Sequence, residues 1–287
     1  MPNQTSSNFF VINLIIRKAN DPADLTSEMY GKLFREFYES ESSGQSSKEK
    51  EALLITNAEY TVEKGAKIFF GQFVEYTNID RRKWFNLLKK DIDNEFTVPN
   101  HLKANSIKNY YFFIPDIHRF CYSYTSKEKI EPQNVQSYLN SAFTKFLTKT
   151  YGNDYYPEVN FEKEKETIQE IINAAEVFSL DITVTYSNDF GKQMKEFFDE
   201  DMRNGNVDDY HIIAKNKNKE SLNLSNSKIL RGALENSASL GKVIASIRNG
   251  KQRKIIRTAD HPAKYKPPVP AIPESIINIY KFFINLF

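Results

Sequence analysis

The chain has 287 residues, 40% of them apolar and 14% aromatic, which is enough to bury a core and excludes disorder over its whole length. Its one cysteine, Cys121, cannot close an internal disulfide, so a reducing compartment and a cytoplasmic location are expected, with Cys121 as a buried core residue. The net charge of +2 hides a polarity: residues 211–266 hold thirteen Lys or Arg against three acidic residues, which leaves about −8 on the first 210.

The start, Met1-Pro2-Asn3-Gln4-Thr5, has no basic stretch before the apolar run that follows, so no signal peptide is expected. Phe9 to Ile16 is rich in β-branched and aromatic residues and ends at Arg17-Lys18-Ala19-Asn20-Asp21-Pro22, the pattern of a mostly buried strand. Leu25, Met29, Leu33 and Phe37 recur at helical spacing, which predicts an amphipathic helix to about Tyr38. Glu39 to Glu51 is nearly free of apolar residues and reads as a mobile loop.

Ala52 to Tyr60 and Ala66 to Tyr76 are predicted strands, joined as a hairpin through Thr61 to Gly65. Thr77 to Leu102 reads as a polar connection with a short helix around Trp84, Leu87 and Leu88. A second strand pair is expected over Lys108 to Ile114 and His118 to Ser123, with Pro115-Asp116 at its turn. Gln133 to Tyr151 is a predicted helix opened by Glu131-Pro132 and closed by Gly152.

Pro157 to Glu162, Thr167 to Ala175 and Val177 to Tyr186 read as one β-α-β unit, followed by a helix over Phe190 to Met202. Asp209 to Lys215 and Leu222 to Leu224 are strand-like, and Ser227 to Ser237 is helical. Two strands flank Asn249-Gly250, a strong hairpin signal in which both residues would occupy a type I′ turn. Lys266 to Pro273 is a proline-rich spacer before a last helix, Glu274 to Phe287. The fold class expected is α+β, with mixed, mainly antiparallel sheets. Three regions follow: 1–152 with two hairpins, 153–266 with a basic second part, and 267–287 as spacer and terminal helix. At twelve residues interrupted by Asn278, Lys281 and Asn285, Ile276 to Phe287 is too short to span a membrane.

Several stretches carry a resemblance. They are Tyr30-Gly31-Lys32-Leu33-Phe34, Gly71 to Asp80, Trp84-Phe85-Asn86, Val98-Pro99-Asn100-His101-Leu102, Tyr111 to Pro115 with His118-Arg119-Phe120, and Thr258-Ala259-Asp260-His261-Pro262. Together they resemble an uncharacterised bacterial family catalogued as domain of unknown function 4747, a likeness that spans most of the chain and implies fold more than activity. The order of elements is also loosely similar to that of the lambda phage exclusion protein RexA, a DNA-binding sensor of phage infection. That likeness implies a role in phage defence.

Lys215, Lys217 and Lys219 alternate, as do Lys251, Arg253 and Arg257, with Arg248 just before the Asn-Gly turn and Lys254 within the run. On strands, alternate residues share a face, so these residues are expected to form a positive surface that contacts phosphates. The plainer reading is that the lysines keep an edge strand soluble and unpaired. With no helix-turn-helix, zinc-finger or ribonucleoprotein signature in the sequence, binding would be independent of sequence, with double-stranded DNA the expected polymer. Arg81-Arg82-Lys83-Trp84 is a smaller basic cluster whose Trp reads as partly buried.

His101, His118, His211 and His261 lie far apart, without Cys or carboxylates at ligand spacing, so no metal and no cofactor are expected. Asp260-His261-Pro262 reads as a structural turn. Asp199-Glu200-Asp201 and Asp208-Asp209 keep a metal-dependent nuclease as an alternative, although no catalytic residue is assigned. The terminal helix is apolar over much of its circumference, so Ile276, Tyr280, Phe283 and Phe287 either fold back on the body or, the reading preferred here, form the interface of a homodimer or partner complex. A protein-interaction subunit of a defence complex is therefore the second functional reading.

Overall fold

The apolar run near the start forms strand β1 (Asn8–Lys18), and its lack of polar alternation follows from what covers it. The computed structural model describes residues 7–19, 25–78, 84–93, 98–125, 127–185, 198, 200–202, 204–205, 207, 209–218, 220–237 and 241–287. After β1 come helix α1 (Ser27–Glu39) and strands β2 (Gly44–Ser47), β3 (Lys50–Thr61), β4 (Lys67–Thr77), β5 (Trp84–Asn86), β6 (Asp91–Asp93), β7 (Ala104–Ile114) and β8 (Arg119–Tyr124). Helix α2 (Pro132–Tyr151) and strand β9 (Tyr155–Phe161) follow.

An antiparallel seven-stranded sheet runs in the order β2-β3-β4-β7-β8-β1-β9. Phe10, Ile12, Leu14 and Ile16 of β1 enter a core shared with α1 and α2, while Phe9 and Val11 enter a second core on the opposite face. A strand buried on both sides reads as a continuous apolar run. Helix α1 starts where the Thr26 side chain accepts from Met29 N (3.3 Å), and its Phe34 and Phe37 stack on Phe113 and Phe143, with centroids 4.3 and 3.9 Å apart. Helix α2 opens on Pro132 and stops at Gly152, whose φ of 66° a residue with a Cβ rarely adopts.

Helix α3 (Lys165–Ile172) leads out of this sheet to strands β10 (Glu176–Thr185) and β11 (Asp209–Lys215), helix α4 (Lys228–Asn236), and strands β12 (Lys242–Asn249) and β13 (Gln252–Arg257). These strands form a four-stranded antiparallel sheet in the order β11-β10-β12-β13. One of its faces is closed by Ile168 and Ile171 of α3 and Ala233 and Leu234 of α4, packed on Leu180, Ile182, Val243, Ala245 and Ile247. Helix α5 (Ile276–Ile284) ends the chain.

The expected α+β class with mainly antiparallel sheets is what the chain adopts. Six local expectations are corrected. The supposed loop over Glu39 to Glu51 contains β2 and the start of β3, because α2 packs on it: a Cβ at Gly44 would lie 2.6 Å from the Tyr138 carbonyl oxygen, and Ser141 Oγ donates to Gln45 O at 3.2 Å. Around Trp84 there is a β5-β6 hairpin in place of a helix. Asn86 Oδ1 accepts from Leu88 N and Lys89 N at 3.0 and 3.1 Å, which fixes a turn.

The proposed β-α-β unit is split, since β9 pairs with β1 in the first sheet while β10 belongs to the second. The boundary at 152 therefore falls within the first sheet's strand set. Leu222 to Leu224 is irregular; Leu222 N donates to Val177 O at 2.6 Å beside a bulge in β10. The expected helix over Phe190 to Met202 lies mostly outside the described residues.

In the β12-β13 hairpin Asn249 pairs with Gln252, so the turn is Gly250-Lys251, with positive φ at Gly250 alone of the two (68°). That is the sign pattern of a type II′ turn and not of the expected type I′.

The interface assignment of Ile276, Tyr280, Phe283 and Phe287 is also corrected. Helix α5 folds back on the second face of the first sheet, where Ile276, Tyr280 and Phe283 are buried with Phe9, Ile68 and Phe112, and Phe283 meets Phe9 edge to face at 5.7 Å. Phe287 lies over the Arg119 guanidinium at 4.7 Å. The spacer before the helix is tied down as well, Ala271 N donating to Ser7 Oγ at 3.0 Å. Covering an apolar sheet face within the same chain satisfies the helix without a partner. Among the described residues no helix is long and apolar enough to cross a membrane.

Candidate nucleic-acid interface

Alternation on the second sheet decides which basic residues come together. On β12 the buried Val243, Ala245 and Ile247 point to the helices, so Lys242, Ile244, Ser246 and Arg248 lie on the other face. Cross-strand partners share a face. Arg253 pairs with Arg248, Ile255 with Ser246 and Arg257 with Ile244; across β10, Ser179 pairs with Ser246 and Lys215, and Asp181 with Ile244 and Ile213. The open face thus gathers Lys242, Arg248, Arg253, Arg257 and Lys215, beside the carboxylates Glu176 and Asp181.

The chemistry at one end of this face is fixed by a register shift between Val177 and Ser179. The extra residue, Phe178, is buried beneath two guanidiniums: Arg253 Cζ is 4.4 Å and Arg248 Cζ 5.1 Å from its ring centroid. Such cation–π contacts orient the planar groups. Arg253 Nε also donates to Ser246 Oγ at 2.9 Å, and Arg248 Nη1 pairs with Glu176 at 2.8 Å. Neither Lys215 nor Arg257 has an ion-pair partner among the described residues.

Three expected ligands fall elsewhere. Lys254 pairs with Ile247 in the register and so faces the helices, where its Nζ is bound to Glu170 of α3. Lys251 occupies the hairpin turn and Lys217 the turn after β11, both exposed. Lys219 lies outside the described residues, as do Arg81, Arg82 and Lys83 beside the half-buried Trp84.

The sequence reading missed Phe178, Ile213, Ile244, Ile255 and the pair His211 Nε2 to Asp181 Oδ1 (2.5 Å), which joins β11 to β10 across the open face. The isoleucines are 58%, 43% and 59% exposed. Strict alternation in Lys242 to Asn249 would have flagged Ile244; nothing in the sequence signals the bulge or a His-Asp pair 30 residues apart.

Among the described residues no three of His, Cys, Asp and Glu come together to hold a metal ion. Asp201 accepts from Tyr210 Oη at 2.5 Å, while Asp199 and Asp208 lie outside the described residues. His261 sits at a turn, its N bonded to Thr258 O at 3.1 Å and its Nδ1 3.8 Å from Glu164. A burial-driven rise holds the Cys121 thiol well above its ordinary value, so it is protonated and inert.

No curated protein matches the chain. The family resemblance carried by its motifs extends over residues 5–284, which match the model described as Domain of unknown function (DUF4747), and the chain belongs to that family.

Proposed function

We propose that this protein is a non-enzymatic nucleic-acid-binding protein that acts in bacterial defence against phage and reads the backbone, not the sequence. The observation that carries the reading is the convergence of Lys215, Arg248, Arg253 and Arg257 on one sheet face that no described helix covers. Cations gathered there can replace condensed counterions on phosphates, an interaction that weakens as salt rises. The biological setting, phage defence, is taken from the loose likeness to the phage exclusion protein read in the sequence and is part of the proposal.

The test is fluorescence anisotropy of the full chain with labelled DNA and RNA over a salt series, in Mg²⁺ and in EDTA. The wild type is expected to bind without cleaving, and a Lys215→Glu/Arg253→Glu/Arg257→Glu variant to lose binding. Full binding by that variant refutes the reading, and cleavage that EDTA abolishes would establish the nuclease alternative.

A second reading, an interaction subunit of a defence complex, is favoured by the β5-β6 hairpin, where Phe85, Leu87, Leu88 and Ile92 are all exposed. Exposed apolar residues gathered on one hairpin are the kind of surface that partners cover.

A further inference from the structure

We infer that the open face of the four-stranded sheet takes a single strand rather than the duplex expected from charge alone, with bases laid on Ile213, Ile244 and Ile255 and on the outer faces of Arg248 and Arg253. The inference rests on the nucleic-acid reading above and specifies its substrate class.

Its ground is the mixture of side chains on that face. Ile213 and Ile244 stand two strands apart in one row with Asp181 between them and Arg257 beyond, and Ile255 lies in the next row beside Ser246. All three isoleucines are about half exposed, interleaved with cations instead of segregated from them. A duplex hides its base faces and presents phosphates, so against it the isoleucines would meet only hydrated charge. Nor can the face enter a groove: four strands at about 4.8 Å spacing span roughly 14 Å, wider than the major groove at about 12 Å. A single strand offers apolar base faces alternating with phosphates, which matches β13, where Ile255 stands between Arg253 and Arg257; the carboxylate of Asp181, between Ile213 and Ile244, is held by His211.

The arginines add stacking area. Phe178 is itself too buried to receive a base, but it holds the Arg248 and Arg253 guanidiniums over its ring. A guanidinium plane pinned on one side presents its other side as a platform for a base. The site is of the order of four nucleotides, the low end for sheet-borne single-strand sites.

A second copy of the chain fits the face less well. Two such faces packed together would bring arginines against arginines, and three half-exposed isoleucines fall far short of the roughly 800 Å² per partner that a stable dimer buries.

The decisive experiment measures anisotropy of the full chain on a labelled 12-mer as single-stranded DNA, single-stranded RNA and blunt duplex at matched salt. It compares wild type with Ile244→Thr/Ile255→Thr, which keeps β-branched residues in exposed strand positions. Single strands, deoxy or ribo, are expected to bind at least tenfold tighter than duplex. The variant is expected to lose about tenfold on single strands, within the range for a stacked base, with an unchanged salt slope, unchanged duplex binding and unchanged circular dichroism.

Equal or tighter duplex binding, or single-strand affinity within twofold in the variant, overturns the single-strand inference and leaves the general reading standing. Absence of binding to every polymer at low salt overturns both. Sedimentation completes the test: a wild-type dimer that the variant dissolves would assign the face to a second copy and refute the inference.

Discussion

Arg257 and Lys254 lie three positions apart on β13, and the two residues separate the geometry from the composition. Charge counting treats them as equivalent phosphate ligands. In the structure Arg257 is on the open face opposite Ile244, whereas Lys254 is on the helix side and bound to Glu170. Losing one phosphate contact flattens the plot of log K against log salt by about 0.7 for a single strand and about 0.9 for a duplex. Integrated over the decade from 1 M to 0.1 M, that is roughly a five- to eightfold loss of affinity at 0.1 M. Arg257→Gln should show this loss and this change of slope. Lys254→Gln should stay within about twofold, because its charge acts through the sheet at a distance that salt screens over about 10 Å at 0.1 M. Its cost should appear instead as an exposed ion pair removed, about 0.2–1 kcal/mol of stability. Anisotropy titrations at four salt concentrations measure both slopes. Equal slope changes in the two variants would refute the placement of the ligands on one face.

The remaining predictions concern what holds that face in place. Phe283→Ala empties a fully buried site against Phe9 and Tyr265 and should cost about 3–5 kcal/mol, while Ile277→Ala on the exposed side of the same helix costs under about 1; equal thermal midpoints would mean that α5 is not docked. Arg119→Met leaves the carboxylate of Glu162 in the core without the guanidinium 2.9 Å away, a loss of about 3–5 kcal/mol in urea unfolding that adding Glu162→Gln should partly restore. Lys163 is buried, which lowers its ammonium to about 8. The unfolded chain keeps this proton to near 10.5, so wild-type stability should rise relative to Lys163→Met as pH climbs from about 8 to 10. A flat difference between the two curves would refute the burial.

The parts legible in the sequence were those where local pattern and tertiary environment agree. Residues Ala52 to Tyr76 announced a hairpin because strand residues flank a turn with Gly65 at positive φ. Asn249-Gly250 located the second-sheet hairpin, but periodicity cannot say whether Asn249 ends a strand or enters the turn, and Lys251 fell into the turn for that reason. Lys254 was misassigned by parity: three residues from Arg257 means opposite faces of a strand, a consequence visible only once the strand is accepted as continuous. β2 was illegible because Gly44 to Ser47 has no strand propensity of its own and is ordered by the adjoining helix. The breadth of the apolar surface on α5 was plain, but its destination was a long-range fact. Phe178 depended on a bulge that leaves no local signature.

Edge protection, the competing explanation of the basic residues, makes a positional demand. Lysines and arginines that discourage strand pairing belong on the outer strands, here β11 and β13. Lys215 and Arg257 meet that demand. Arg248 does not, because β12 has β10 on one side and β13 on the other and has no free edge to guard. Arg253, although on β13, turns inward to Ser246 and over Phe178. Two guanidiniums drawn over the interior of a solvent-facing sheet, onto a ring raised there by a bulge, do nothing to discourage pairing at an edge. They do concentrate charge and planar surface beside exposed isoleucines. The other faces of the two larger sheets of the described fold are closed from within, the first sheet by α1 and α2 on one side and α5 on the other, the second sheet by α3 and α4 on its inner face. The open face is thus the large sheet surface that combines cations with uncovered apolar side chains, and the isoleucine variants distinguish binding on it from mere solubility.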